Sequence, residues 1–200
     1  MIWLNPIRLP GDLCIIEPLS LSHHDALTET VKEGELWSLW YTTIPKPEAM
    51  QIEIKRRLEL QAKGLMLPFT IIEKSTQQPV GMTSYLNLDA VNCRLEIGAT
   101  WLQKSMQRTG INTETKLLLL THVFEIIHCN AVEFRTNSFN QQSRKAIERL
   151  GAKLDGILRN HMVMANGLLR DTCVYSIIAN EWPSIKTHLR WLLKNNHHKN

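Results

Sequence analysis

Apolar residues recur along this chain at two periods, and the switches between them outline the secondary structure. Between residues 94 and 102 the alternation is strict: Leu95, Ile97, Ala99 and Trp101 share one face of an extended segment, and Glu96, Gly98 and Thr100 share the other. Downstream the period becomes helical. Leu117, Leu120, Phe124 and Ile127 form one stripe, and Leu118, Leu119, Val123 and Ile126 widen it until the helix is apolar nearly all round, so that helix must be buried. Residues 131–136 read as a strand, and Ala146, Ile147 and Leu150 mark a shorter helix closed by Gly151.

Residues 13–19 predict a short strand, and Ser20 or Ser22 is positioned to cap a helix running to about residue 33. Pro45 and Pro47 separate that helix from a second one carrying Met50, Ile54, Leu58 and Gln61 or Ala62, which Gly64 ends. Segments 69–73 and 80–86 predict one hairpin, and 152–164 with 168–178 predict another, turning at Asn166-Gly167, whose residues suit positive φ. A last helix is expected over about 182–194. The order is strand, two helices, three strands, helix, strand, helix, two strands, helix. Antiparallel hairpins with one strand-helix-strand crossover give a mixed sheet of the α+β class.

Two hundred residues, 44% hydrophobic and 21% charged, suit one domain over residues 1–200. The net charge of +4 is dispersed, with no basic run interleaved with aromatics, so nucleic acid is not an expected partner. Cys14, Cys93, Cys129 and Cys173 are isolated and off metal-ligand spacing, which predicts reduced core or strand residues and no metal site. The start lacks a leader-like segment and no run of 18 apolar residues occurs. No membrane contact is expected, and the predicted location is the cytoplasm. His197-His198 reads as a polar tail or a weak metal site.

Two segments carry the candidate chemistry. Gln107-Arg108-Thr109-Gly110-Ile111-Asn112-Thr113-Glu114 joins the alternating strand to the buried helix, where free N–H groups and the helix dipole favour an anion such as a pyrophosphate. Asn137-Ser138-Phe139-Asn140-Gln141-Gln142-Ser143 leads from the next strand into the next helix. In this order, followed by Glu148-Arg149-Leu150-Gly151-Ala152 and a hairpin, they resemble the GNAT superfamily of acetyl-CoA-dependent N-acetyltransferases, and within it the RimJ/RimL-type branch of ribosomal-protein N-terminal acetyltransferases.

The resemblance covers about residues 12–180, the core of the domain, and implies a three-layer α/β/α fold with a splayed, mostly antiparallel central sheet. It further implies that acetyl-CoA enters between the strand before the loop and the strand after its helix. Gln107, Arg108, Thr109, Gly110, Ile111, Asn112 and Thr113 would hold the pyrophosphate, Asn140 would lie beside the pantetheine arm, and backbone groups near Trp101 and Leu102 would bond the thioester carbonyl. The chain departs from the family twice. Asn112 stands where Gly or Ala is usual and is expected to act as the helix N-cap, and Ile147 occupies the position of a tyrosine that protonates the departing thiolate. Ser143 resembles the serine that RimL-type enzymes can use instead; the structural alternative is that Asn140 caps a helix and Ser143 joins its first turn.

An attacking amine must lose a proton, and Glu96, on the polar face of the strand leading to the loop, is the candidate base, directly or through a water; a salt-bridged strand carboxylate is the alternative. Trp37, Trp40, Tyr41 and Tyr85 are candidates for an acceptor pocket or for core packing. The expected reaction is direct transfer of an acetyl group to a small amine or a protein N-terminus, with a homodimer admitted. The rival expectation is an acetyl-CoA-binding sensor or interaction module without turnover.

Overall fold

The computed structural model describes residues 3–196; His197 and His198, read above as a tail or weak metal site, lie outside the described residues. Eight strands form one sheet: β1 (Leu9–Pro10), β2 (Cys14–Pro18), β3 (Met66–Glu73), β4 (Gln78–Asp89), β5 (Arg94–Leu102), β6 (Ala131–Asn137), β7 (Lys153–Val163) and β8 (Leu169–Ile178). Their spatial order is β1-β2-β3-β4-β5-β6-β8-β7, with β5 and β6 parallel and the other neighbours antiparallel. The helices are α1 (His24–Lys32), α2 (Met50–Ala62), α3 (Ile111–Thr121), α4 (Gln141–Arg149) and α5 (Trp182–Asn196). The predicted order of elements holds, with the two-residue β1 added ahead of it.

Two cores separate the layers. On one face α3, α4 and α5 pack Leu119, Leu120, Val123, Ile147, Ile185 and Leu189 against Phe69, Tyr85, Leu95, Ile97 and Phe134 of the sheet. On the other, α1 and α2 bring Leu27, Val31, Met50 and Ile54 onto Met82 and Trp101. Helices cover both faces, as the three-layer expectation requires. Ser20 caps the short turn before α1, Gly64 closes α2 at φ +69, and Gly167 supplies positive φ at the β7–β8 turn. The cysteines are all free; Cys14, Cys129 and Cys173 are buried, and Cys93 sits half-buried in the β4–β5 turn.

The strict alternation predicted for β5 fails after Gly98. The β4–β5 register runs from Ser84 opposite Gly98 to Met82 opposite Trp101, so β5 carries one extra residue, and Ala99 sits there at φ +48. The bulge reverses every later side chain. Leu95 and Ile97 stay in the α3 core, but Trp101 turns into the α1–α2 core, and the Thr100 hydroxyl meets Lys116 of α3. Trp101 therefore does not share a face with Leu95 and Ile97.

The sheet also splits. β5 and β6 pair through Arg94–Ala131, Leu95–Val132 and Glu96–Glu133; beyond them β5 pairs with β4 alone and β6 with β8 alone among the described residues. Because the two strands are parallel, the gap opens toward the carboxyl ends of both. Those ends lead directly into the loops that start α3 and α4.

Candidate active site

At the open end of the split, the loop before α3 is built from its own side chains. The Gln107 amide donates to the Leu102 carbonyl at 3.2 Å, and the Gln142 amide of α4 donates to the Gln107 side-chain oxygen at 3.0 Å, tying the two helix starts together. Arg108 takes φ +65, and the Thr109 hydroxyl accepts the Ile111 N–H at 3.3 Å. Gly110, not Asn112, occupies the N-cap. The Gly110 carbonyl accepts the Glu114 N–H at 2.9 Å, which starts the helix two residues earlier than a cap at Asn112 would and makes Asn112 its second residue. A Cβ on Gly110 would stand 2.6 Å from Leu13 Cδ1, so a larger residue there would have to displace the Leu13 side chain just before β2.

The first-turn N–H groups of Asn112 and Thr113 have no intrahelical acceptor and lie at the positive end of α3. Glu114 does not compete for that charge, because its carboxylate is turned to β2, accepting N–H groups of Asp12 at 2.8 Å and of Leu13 and Cys14 at 2.7 Å. The Thr113 hydroxyl is buried against Arg149 of α4 at 2.7 Å, leaving only its backbone for a ligand. Across the split, the Asn140 side-chain oxygen accepts the Ser143 N–H at 3.0 Å, so Asn140 caps α4. The Ser143 side chain is half-buried in the first turn, and Ile147 is buried one turn later. An anion at the α3 start, joined to an extended amide-bearing arm lying along the unpaired edge of β5, suits this geometry; that is the form of coenzyme A.

Glu96 lies where the two strands part, on the face away from α3. It is 7% exposed, accepts a hydrogen bond from the Asn87 amide at 2.7 Å, and has Arg135 Nε 3.6 Å from the same oxygen. Burial pushes its carboxyl up to about 7; Glu133 adds to the rise, while Arg135, Asn87 and Arg170 oppose it. Glu133 is itself paired with Arg94 and Arg135. A cavity of about 550 Å³ lined by Asn87, Asp89, Arg94, Glu133 and Arg135 adjoins this group. A carboxyl poised near neutrality can accept a proton from an amine. Sequence reasoning missed Asn87, Glu133 and Arg135; the alternation of Glu133 and Arg135 around buried Phe134 was the available signal.

The four aromatic candidates separate. Trp37 is half-buried against the α1–α2 core. Trp40 is 48% exposed, makes an edge contact with Tyr41 at 5.6 Å, and meets Phe139 of the β6–α4 loop at 5.5 Å. Phe139 was not singled out from the sequence, although it directly precedes Asn140. Tyr85 is a correction: it is fully buried on the α3 face, its hydroxyl donating to the Leu119 carbonyl at 3.0 Å and its ring stacked beside His122. No acceptor reaches a ring packed inside that core.

Among the described residues, no helix is long and apolar enough to cross a membrane, and no group of three or more His, Cys, Asp or Glu side chains is placed to hold a metal ion.

Comparison with known proteins agrees with the mixed fold. A profile of the acetyltransferase (GNAT) domain matches residues 14–153. YdaF of Bacillus subtilis (strain 168), provisionally named a ribosomal N-acetyltransferase, is 36% identical over 106 residues, which are 53% of this chain and 57% of YdaF, so the chain spans little more than half the length of that relative. A crystal structure of a GCN5-related N-acetyltransferase from Brucella melitensis superposes with a TM-score of 0.84 at 27% identity, covering 95% of this chain and 86% of that one. RimL, a ribosomal L7/L12 alpha-N-protein acetyltransferase, shares the fold with a TM-score of 0.74 at 21% identity, covering 86% of this chain and 94% of that one.

Proposed function

The chain belongs to the GNAT family of acetyltransferases, and from that membership we propose that it moves an acetyl group from acetyl-CoA to a primary amine by direct attack, without a covalent acyl-enzyme. The observation that carries the reading is the parting of β5 and β6 with Glu96 at its root and two helix starts at its mouth. Acetyl-CoA supplies the activated acyl thioester. The backbone N–H groups at Asn112 and Thr113, with the loop from Gln107 to Ile111, would hold its pyrophosphate. The free edge of β5 at Trp101 and Leu102 would take the pantetheine arm and offer a backbone donor to the carbonyl oxygen, with Asn140 opposite.

Glu96 accepts the proton of the attacking amine on the face away from α3, directly or through a water. Ser143 offers its hydroxyl to the thiolate from α4. Trp40 and Tyr41, with Trp37 behind them, flank the approach to the gap and would bury the apolar part of the acceptor. A protein N-terminus is the acceptor class we favour, supported by the likeness to YdaF and by the open, aromatic-flanked mouth, which leaves room for a chain to continue outward.

A binding module without turnover is the second reading, and buried Ile147 in place of a hydroxyl-bearing residue favours it. Incubating the protein with acetyl-CoA and a panel of N-terminal peptides and small amines, with mass detection, separates the two. Acetylated product that disappears in Glu96→Gln supports transfer. Coenzyme A binding without product across the panel supports the module.

A further inference from the structure

Lys116 is the one charged group that α3 sends into the core beneath the split. Its side chain is 6% exposed, and its ammonium donates to the Thr100 hydroxyl at 2.8 Å. That hydroxyl lies in turn 2.8 Å from the hydroxyl of buried Thr83. Burial of an ammonium with so little solvation is costly, and α3 otherwise sends Leu119 and Leu120 into the same layer.

The position of Thr100 gives the arrangement a direction. Thr100 follows the bulged Ala99 on the stretch of β5 that has lost its β6 partner, and it is half-buried, so the residue borders the gap; its hydroxyl, which also lies 3.4 Å from the Gly98 carbonyl, has Lys116 behind it. Without the bulge Thr100 would face α1 and α2, and Lys116 would have no route to the gap. Glu96 faces away from α3 and Thr100 toward it. The gap thus has a proton acceptor on one side and a proton donor on the other.

Resting on the acetyl-transfer reading, we propose that Lys116 and Thr100 form a relay that delivers a proton to the departing coenzyme A sulfur, with Thr100 as the group that touches the sulfur and Lys116 positioned behind it as the source. As the carbon–sulfur bond breaks, its electron pair goes to sulfur. The Thr100 hydroxyl proton moves to that sulfur while a Lys116 ammonium proton moves to the Thr100 oxygen. The amine's proton is held meanwhile by Glu96. After the products leave, water takes the proton from Glu96 and returns one to Lys116, and both groups regain their starting states.

A serine hydroxyl is a far weaker acid than a thiol, so Ser143 can stabilise a thiolate by hydrogen bonding but cannot leave it protonated. An ammonium can. Burial holds Lys116 at about 7, which makes it a competent acid at neutral pH. The groups facing Lys116 from the sheet are the uncharged Thr83 and Thr100; on its own helix Glu114 is turned to β2, just past the end of that helix His122 lies with Tyr85, and from α4 Arg149 is held on Thr113.

The test reads the thiol of bound coenzyme A directly, by ultraviolet titration of its thiolate, alongside turnover. In Lys116→Arg, which keeps a fixed cation behind Thr100 at the alkaline pH where a thiol ionises, the bound thiol should ionise about one pH unit lower than in Lys116→Met, because the cation stabilises the thiolate. Lys116→Arg should nonetheless lose turnover, since a guanidinium does not release its proton. Thr100→Val, which leaves the lysine in place, should lower kcat roughly 10-fold to 10²-fold with KM for acetyl-CoA within about twofold. An identical thiol titration in Lys116→Arg and Lys116→Met, or full turnover in Lys116→Arg or in Thr100→Val, would overturn the relay and leave acetyl transfer standing. A wild-type protein that binds no coenzyme A would overturn both.

Discussion

A Cβ on Gly98 would stand 2.5 Å from Oε1 of Glu96, so the carboxylate occupies the space that any larger residue two positions along β5 would fill. Gly98 thereby fixes where Glu96 can lie. Gly98→Ala is expected to push the carboxylate out of place and lower turnover roughly 10-fold to 10²-fold with little change in coenzyme A affinity. Steady-state kinetics beside a binding titration checks this, and full turnover in the variant would free Glu96 from that constraint.

Glu96→Gln should abolish the acidic limb of the kcat/KM profile, which in the wild type is set by a carboxyl held at about 7. The stability sign is also determined. A carboxyl raised in the folded state favours folding below its unfolded value, and that contribution is lost as pH rises through 7. Glu96→Gln should therefore be more stable than the wild type above pH 7, by roughly 2–3 kcal/mol, with the difference vanishing near pH 4. Denaturant unfolding at several pH values measures it.

Lys116→Met should stabilise the fold most at low pH. The lysine value is lowered by burial, so the cost of charging it is fully present below about 7 and fades as pH approaches the unfolded value near 10.5. A gain of about 1–4 kcal/mol at pH 6, shrinking toward pH 10, is expected from unfolding curves. A stabilised but slowed protein would mark Lys116 as kept for function rather than folding.

Asn112→Asp should strengthen α3 and weaken coenzyme A binding. A carboxylate in the first turn favours the helix by about 0.3–1 kcal/mol, yet it repels a pyrophosphate bound to the same N–H groups. Calorimetry at low salt should show an affinity loss of roughly 10-fold that shrinks as salt is added. Unchanged affinity would move the anion site away from α3.

Ser143→Ala separates a thiolate contact from a cap. The Asn140 side chain bonds the Ser143 backbone, not its hydroxyl, so the cap survives the substitution and stability should change little. Turnover should fall by roughly tenfold, whereas Asn140→Ala should cost about 1 kcal/mol of stability.

Hydrophobic period determined the elements of this protein because it follows from local geometry: each strand and helix reports its own repeat, and Asn140 announces a helix start by type and place, whereas α3 starts at Gly110, two residues before the cap expected at Asn112. Family-like spacing of the two loops located the gap between β5 and β6. Only the tertiary structure placed the bulge at Ala99, since an extra residue is defined by a register against β4, and it moved Trp101 and Thr100 to the faces they occupy. The acidity of Glu96 and Lys116 was hidden for the same reason. It depends on how much water, and which charges, other elements leave beside them: Arg135 and Glu133 come from β6, Asn87 from β4, and the burial of Lys116 from the sheet that α3 covers.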